Sequence, residues 1–163
     1  MSYRVLVWGT GNVGRPAIRA VAAHRELELC GVVVNNPDKI GRDAGELAGI
    51  APLGVAACAD WREVAERGGL DAVVYTATAD TRPVEAFTEL LELLGAGINV
   101  VSTAFYPLLE PGCGAAEAVD VVAATCAGGQ SSVFVSGIDP GWAQDILPVL
   151  LSGVVSDIQE VRI

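Results

Sequence analysis

Gly9-Thr-Gly-Asn-Val-Gly14 follows the apolar run Val5-Leu-Val-Trp8 and precedes Ala17, Ile18, Val21 and Ala22, which recur at helical spacing. The chain carries 19 glycines in 163 residues, so this spacing means little alone and its flanks decide how it reads. The run before the glycines reads as a buried parallel strand and the run after them as a helix. A second apolar run at residues 27–34 arrives about thirty residues into the unit. Strand, glycine turn, helix and strand together make a βαβ nucleotide fingerprint. In that reading Gly9 permits the tight turn off the strand, Gly11 leaves space for a pyrophosphate, and Gly14 lets the helix pack close to the sheet. The free N–H groups at the helix start and the positive end of its dipole then meet the phosphates. Gly9, Thr10, Gly11, Asn12, Val13 and Gly14 are the first candidate cofactor contacts. The plain alternative is a glycine turn that holds no ligand.

Outward from this unit the chain alternates strands and helices with short connections. A first helix is expected from about residue 12 to 24, its start fixed by Pro16, which has no amide for an interior helical bond. The second strand, residues 27–34, ends in Asn35-Asn-Pro-Asp-Lys39. A carboxylate at this tip would grip the ribose 2′-OH of NAD, whereas a 2′-phosphate needs that charge absent and a cation near. Asn35, Asn36, Lys39 and Arg42 therefore favour NADP, with NAD left open because Asp38 and Asp43 dilute the positive field. Further on, the sequence predicts a short helix over 43–48, a third strand over 55–57, and a capping box at Asp60-Trp-Arg-Glu63. A fourth strand over 71–76 leads into the small-residue loop 77–81. Ligands of open α/β sheets bind beyond the carboxyl ends of the strands, so Ala77, Thr78 and Ala79 are candidate cofactor contacts. Asp80 or Thr81 would cap the next helix, with Pro83 in its first turn.

Val84, Phe87, Leu90, Leu91 and Leu94 recur at helical spacing and should face the sheet, with Glu85, Glu89 and Glu92 toward water. A fifth strand over 98–102 ends in a loop over 103–110 that supplies Thr103 as a cofactor candidate. An alanine-rich helix over 114–127 should stop at Gly128-Gly129, and a sixth strand over 132–136 follows. The turn Gly137-Ile-Asp-Pro-Gly-Trp142 then opens a last helix, with Asp139 as its cap, and offers Gly141 and Trp142 to the cofactor. Residues 154–163 alternate in strand fashion and find no partner in the rest of the chain. The fold expected is α/β: a Rossmann-type doubly wound parallel sheet of order 3-2-1-4-5-6, one NAD(P)-binding domain over 1–153. Residues 154–163 would be the first strand or linker of a substrate domain that is missing or truncated.

Composition narrows the function. A formal net charge of −10 with ten scattered Lys and Arg argues against a nucleic-acid partner. No apolar stretch is long enough for a membrane span and no leader pattern precedes the first strand, so a cytoplasmic protein is expected. Cys30, Cys58, Cys113 and Cys126 lack metal-ligand spacing and His24 has no ligand neighbours, so no metal is expected.

Three stretches carry a family resemblance: Trp8-Gly-Thr-Gly-Asn-Val-Gly14, Asn36-Pro-Asp-Lys-Ile-Gly-Arg-Asp-Ala-Gly-Glu-Leu-Ala-Gly49, and Gly137-Ile-Asp-Pro-Gly-Trp-Ala-Gln-Asp-Ile-Leu-Pro148. Together they resemble the nucleotide-binding half of dihydrodipicolinate reductase-like proteins, a group that includes amine dehydrogenases. The resemblance implies an oxidoreductase that reduces an imine or oxidises an amine with NAD(P), its partners being the dinucleotide and a small-molecule substrate. In the amine-dehydrogenase branch a glutamate lies in the loop after the fifth strand. Here that loop reads Ala104-Phe-Tyr-Pro107, which leaves Glu110 and Tyr106 as the weak candidates for proton transfer and the catalytic residue unknown. The alternative function is a non-catalytic nucleotide-binding or redox-sensing module, and a homo-oligomer is left open. The chain by itself is expected to bind the dinucleotide without turning over a substrate.

Overall fold

The computed structural model describes residues 2–110, 112 and 116–162, with the side chain of Pro140 left out. Cys113 and the first two residues of the helix expected at 114 lie outside them. Six strands, β1 (Tyr3–Trp8), β2 (Leu27–Val33), β3 (Ala57–Cys58), β4 (Ala72–Tyr75), β5 (Asn99–Ser102) and β6 (Val133–Val135), form one parallel sheet of order β3-β2-β1-β4-β5-β6. The expected order holds, and the registers add what a sequence does not state. Cys58 pairs with Val33, Val33 with Trp8, Trp8 with Tyr75, Tyr75 with Ser102, and Ser102 with Val135. All six strands therefore stop on one row, and every loop at the carboxyl edge leaves from the same level.

Helices cover the two faces unequally. On one face α1 (Gly14–Ala23) and α2 (Ala44–Ala48) bury Ile18, Val21, Ala44 and Leu47 against Val5, Val7, Val32 and Val34. On the other, α3 (Arg62–Glu66), α4 (Pro83–Gly95) and α5 (Ala116–Gly129) enclose a larger cluster in which Leu6, Tyr75, Leu90, Leu93 and Leu94 are fully buried. Each such leucine contributes on the order of 1.5–3 kcal/mol by leaving water. The face that α1 and α2 cover under β1 and β2 is bare at β5 and β6, where Val101 and Phe134 are 44% and 64% exposed.

Several local expectations are corrected. Strand β3 is two residues long and starts at Ala57, because Ala56 instead makes an antiparallel bridge to Asp43. Asp43 sits just before α2, and its carboxylate accepts from the amides of Gly45, Glu46, Leu53 and Gly54, which ties helix start and loop together. Only half of the capping box forms: Asp60 accepts from the Arg62 amide, but Glu63 pairs with Arg67 rather than turning back. Neither Asp80 nor Thr81 caps α4. Arg82 occupies that position, its side chain on Glu89, with Pro83 next as expected. In α4 the buried stripe is Ala86, Leu90, Leu93 and Leu94, while Val84 is 75% exposed. The rotation has a polar cause, for Glu89 is half-buried and accepts from the Tyr75 hydroxyl at 2.6 Å and from Arg82.

The segment after β6 is not an α-helix capped by Asp139. Ile138–Ile146 winds as a π-helix with Gly137 at its cap, and the Trp142 amide reaches back five residues to the Gly137 carbonyl at 2.8 Å. Gly141, at φ +131°, takes a conformation that disfavours any other residue there. The chain continues into α6 (Leu147–Ser152), which ends at Gly153 as expected. Described residues 154–162 form no strand and stay exposed.

Candidate functional site

The glycine turn lies at the centre of the carboxyl edge. Gly9 leaves β1 at φ +110°, and its amide donates to the Val33 carbonyl at 2.9 Å, so the turn is bonded to the end of β2. A methyl group on Gly14 would stand 2.1 Å from the Gly9 carbonyl oxygen and 2.9 Å from Thr76 Oγ1. Helix α1 therefore starts in contact with the turn and with the end of β4. Gly11 is the opposite case: a methyl group there would meet no protein atom within 4 Å. Thr10 to Val13 donate no backbone hydrogen bond to any described residue, so their N–H groups stand ahead of the first turn of α1. This is the arrangement that accepts an anion.

Two cavities flank the turn. The smaller, about 200 Å³, lies over the end of β2 between Gly9, Thr10, Val34, Asn35, Asn36, Lys39 and Ala77. The Lys39 Nζ donates to Thr10 Oγ1 at 3.0 Å, which holds the ammonium over the glycine turn. Asn36 bends the strand tip by accepting from the Asp38 amide at 2.9 Å. Arg42 is exposed and lies outside this lining, so the structure brings Lys39 to the tip and leaves Arg42 aside. The larger cavity, about 650 Å³, opens on the other side, over the ends of β4 and β5. Val13, Ala77, Thr78, Ala79 and Thr103, all candidate cofactor contacts in the sequence, are among its lining residues.

Other expected contacts fall outside both cavities. Gly11, Asn12 and Gly14 line neither, and the turn after β6 contributes Gly137, Ile138 and Asp139 rather than Gly141 and Trp142. Tyr106 lines the larger cavity, whereas Glu110 points to the backbone of its own loop, accepting from the Gly112 amide at 3.3 Å. Asp80, from the loop 77–81, lines the larger cavity too, and the lining residues that sequence reasoning missed include Thr76, Ala17 and Ala20. Thr76 had no signal in the sequence, because its role is to bond the Trp8 carbonyl across 68 positions at 2.7 Å. Ala17 and Ala20 did leave one: small residues three apart on α1, beside the Ile18 and Val21 stripe, mark a second face that is neither core nor charged.

The loops are held from below. Ser102 Oγ donates to the Tyr75 carbonyl at 3.1 Å and accepts from the Ala104 amide at 3.0 Å, which pins the start of the loop after β5. Trp8, Tyr75 and Phe105 stack in a row with ring centroids 5.3 and 5.1 Å apart. Burial first, and then the bond to Glu89 and its charge, push the Tyr75 phenol well above its usual value. The hydroxyl therefore remains a donor throughout the physiological range, and with Arg82 and Glu89 it fixes the loop 77–82 against α4.

The residues fit a dinucleotide: open space at Gly11, free amides at a helix start, and a cavity on each side of the turn. Comparison with known proteins agrees. Residues 3–103 match the family described as "Dihydrodipicolinate reductase, N-terminus". An amine dehydrogenase of Streptomyces virginiae is 47% identical over 157 residues, covering 96% of this chain and 44% of that protein. A 4-hydroxy-tetrahydrodipicolinate reductase of Synechocystis is 33% identical over 91 residues, 56% of this chain and 33% of that one. The chain thus spans less than half the length of these curated relatives. Among solved structures, an amine dehydrogenase from Mycobacterium smegmatis superposes with a TM-score of 0.68 at 23% identity, over 97% of this chain and 46% of that one. The WlbA dehydrogenase of Bordetella pertussis, solved with NADH and UDP-GlcNAcA, gives 0.61 at 21%, over 94% and 43%. At these identities the likeness is one of fold.

Proposed function

This chain belongs to the dihydrodipicolinate reductase N-terminal family and is its NAD(P)-binding domain, and on that premise we propose that it serves an oxidoreductase acting on C=N and CH–NH2 bonds, with NADP preferred over NAD. The observation that carries the nucleotide role is the contrast between Gly14, packed against protein, and Gly11, open to solvent. When bound, the dinucleotide would supply or take up two electrons and a proton at its nicotinamide. The chain's own residues do the holding. The amides at the start of α1 take the pyrophosphate, Lys39 and the asparagines at the tip of β2 take the adenosine ribose with its 2′-phosphate, and the loops after β4 and β5 wall the nicotinamide end. The small-molecule substrate would lie against Thr103, Ala104 and Tyr106 in the larger cavity. A cytoplasmic setting, where thiols such as Cys30, Cys58 and Cys126 stay reduced, suits this role.

The preference for NADP rests on charge. Among the described residues no carboxylate lines the smaller cavity, whereas Lys39 does. A partly exposed ion pair of this kind should give a preference of about ten-fold that weakens as salt is raised. Calorimetric titrations of NADPH and NADH at two salt concentrations test it. NADPH should bind more tightly at low salt, and Lys39→Ala should bring the two together. Tighter binding of NADH by the parent would reverse the assignment.

A further inference from the structure

Glu89 holds both ends of the loop after β4 from within α4. Tyr75, the last residue of β4, donates its hydroxyl to the Glu89 carboxylate at 2.6 Å. Arg82, the residue before α4, pairs with both oxygens of that carboxylate and also donates to the Tyr75 hydroxyl at 3.2 Å. The stretch between has little else to hold it. Its side chains are short, and residues 77–81 donate no backbone hydrogen bond to any described residue. Yet Thr76, Ala77, Thr78, Ala79 and Asp80 all line the larger cavity, whereas of these only Ala77 lines the smaller one. The charged pair is costly to keep, for the Arg82 and Glu89 side chains are 23% and 20% exposed, and Arg82 Nε is buried with no partner among the described residues. Apolar side chains of the same bulk would seat α4 on β4 about as well, since a buried ion pair adds little to stability over its hydrophobic replacement. What the charges add is a fixed direction for each end of the loop.

We propose that Glu89 is a positioning residue for the nicotinamide half of the cofactor, setting the loop after β4 in the shape that receives it. The inference rests on the dinucleotide reading above and deepens it by naming what controls one half of the site. Without the carboxylate, both terminal nitrogens of the Arg82 guanidinium lose their acceptor, and the buried charge turns to water and carries the α4 end of the loop with it. The loop then samples several shapes. A ligand that needs one of them binds more weakly, in proportion to the fraction of chains that hold it. The adenosine half meets the tip of β2 and Lys39, which Glu89 does not touch, so binding of that half should stay as it is.

The test compares two ligands by calorimetry on the 163-residue chain and needs no turnover. One is NADPH, and the other is 2′,5′-ADP, which carries the adenosine half with its 2′-phosphate and no nicotinamide. Glu89→Ala should weaken NADPH about ten-fold, the factor for a loop correctly placed in about one chain in ten, and leave 2′,5′-ADP within about two-fold of the parent. Glu89→Gln, which keeps an acceptor oxygen, should recover part of that loss. Tyr75→Phe, which removes one hydroxyl and leaves the Arg82 pair in place, should weaken NADPH in the same selective way by a smaller factor. A pair that only ties α4 to β4 would lower the Tm of Glu89→Ala and either leave both affinities alone or reduce both by the same factor, and either result overturns this inference. Failure of the parent to bind NADPH or 2′,5′-ADP overturns the dinucleotide reading and this inference together. If Glu89→Ala does not fold, the same comparison on Glu89→Gln and Tyr75→Phe decides the matter.

Discussion

At Gly14 a single methyl group would fall 2.1 Å from the carbonyl oxygen of Gly9, with backbone on one side and Thr76 on the other. Neither neighbour is the free end of a flexible side chain, so Gly14→Ala must push α1 away from the strand ends. Overpacking of this kind costs about 1–3 kcal/mol, and backbone contact puts this site at the upper end. For a chain of this length that is a fall in Tm of about 5–10 °C, readable by circular dichroism. An unchanged Tm would mean that the close start of α1 is not needed. The glycine spacing was legible in the sequence because each glycine answers a local geometric demand. Thr76 was not, since its partner lies across the sheet. Lys39 was legible as a cation near the tip of β2, but nothing in the chain distinguished it from Arg42, whose side chain turns to solvent.

Among the elements, the segment from the end of β2 to β3 depends on one carboxylate. Asp43 accepts from four amides, those of Leu53 and Gly54 in the following loop and of Gly45 and Glu46 in α2. The Leu53 amide first, then those of Gly45, Gly54 and Glu46, hold the carboxyl below its ordinary value against the opposing effect of desolvation. A group lowered in the folded state contributes stability that is present above its ordinary value near pH 4 and is lost as pH falls through the folded value. Asp43→Ala should therefore lower the urea midpoint at pH 7, and the difference from the parent should shrink as the pH is taken below 4. Equal midpoints at pH 7 would show that the four bonds contribute nothing. Helix and strand types were legible here from periodicity and caps. The rotation of α4 was not, because Glu89 reads as a solvent-facing charge until Tyr75 and Arg82 are seen beside it. The π-helix after β6 was equally hidden, since Asp-Pro-Gly also fits an ordinary capped helix.

Across the whole molecule, the flush row of strand ends from Cys58 to Val135 brings segments far apart in sequence to one edge. Strand order and the glycine turn were readable because alternating strands and helices leave right-handed crossovers as the favoured topology. The cavities were not, because they form between loops whose contacts are non-local. They lie on either side of the glycine turn, where the proposed reading would put the adenosine and nicotinamide ends of one ligand. The most direct measurement is calorimetric titration of NADPH into the parent chain and into Gly11→Val. The parent should bind one equivalent to saturation. Gly11→Val, whose added side chain meets no protein atom at its Cβ, should keep the parent's circular dichroism and lose the binding. NADPH binding of equal affinity by the two proteins, or none by the parent, would contradict the assignment of this edge as a dinucleotide site.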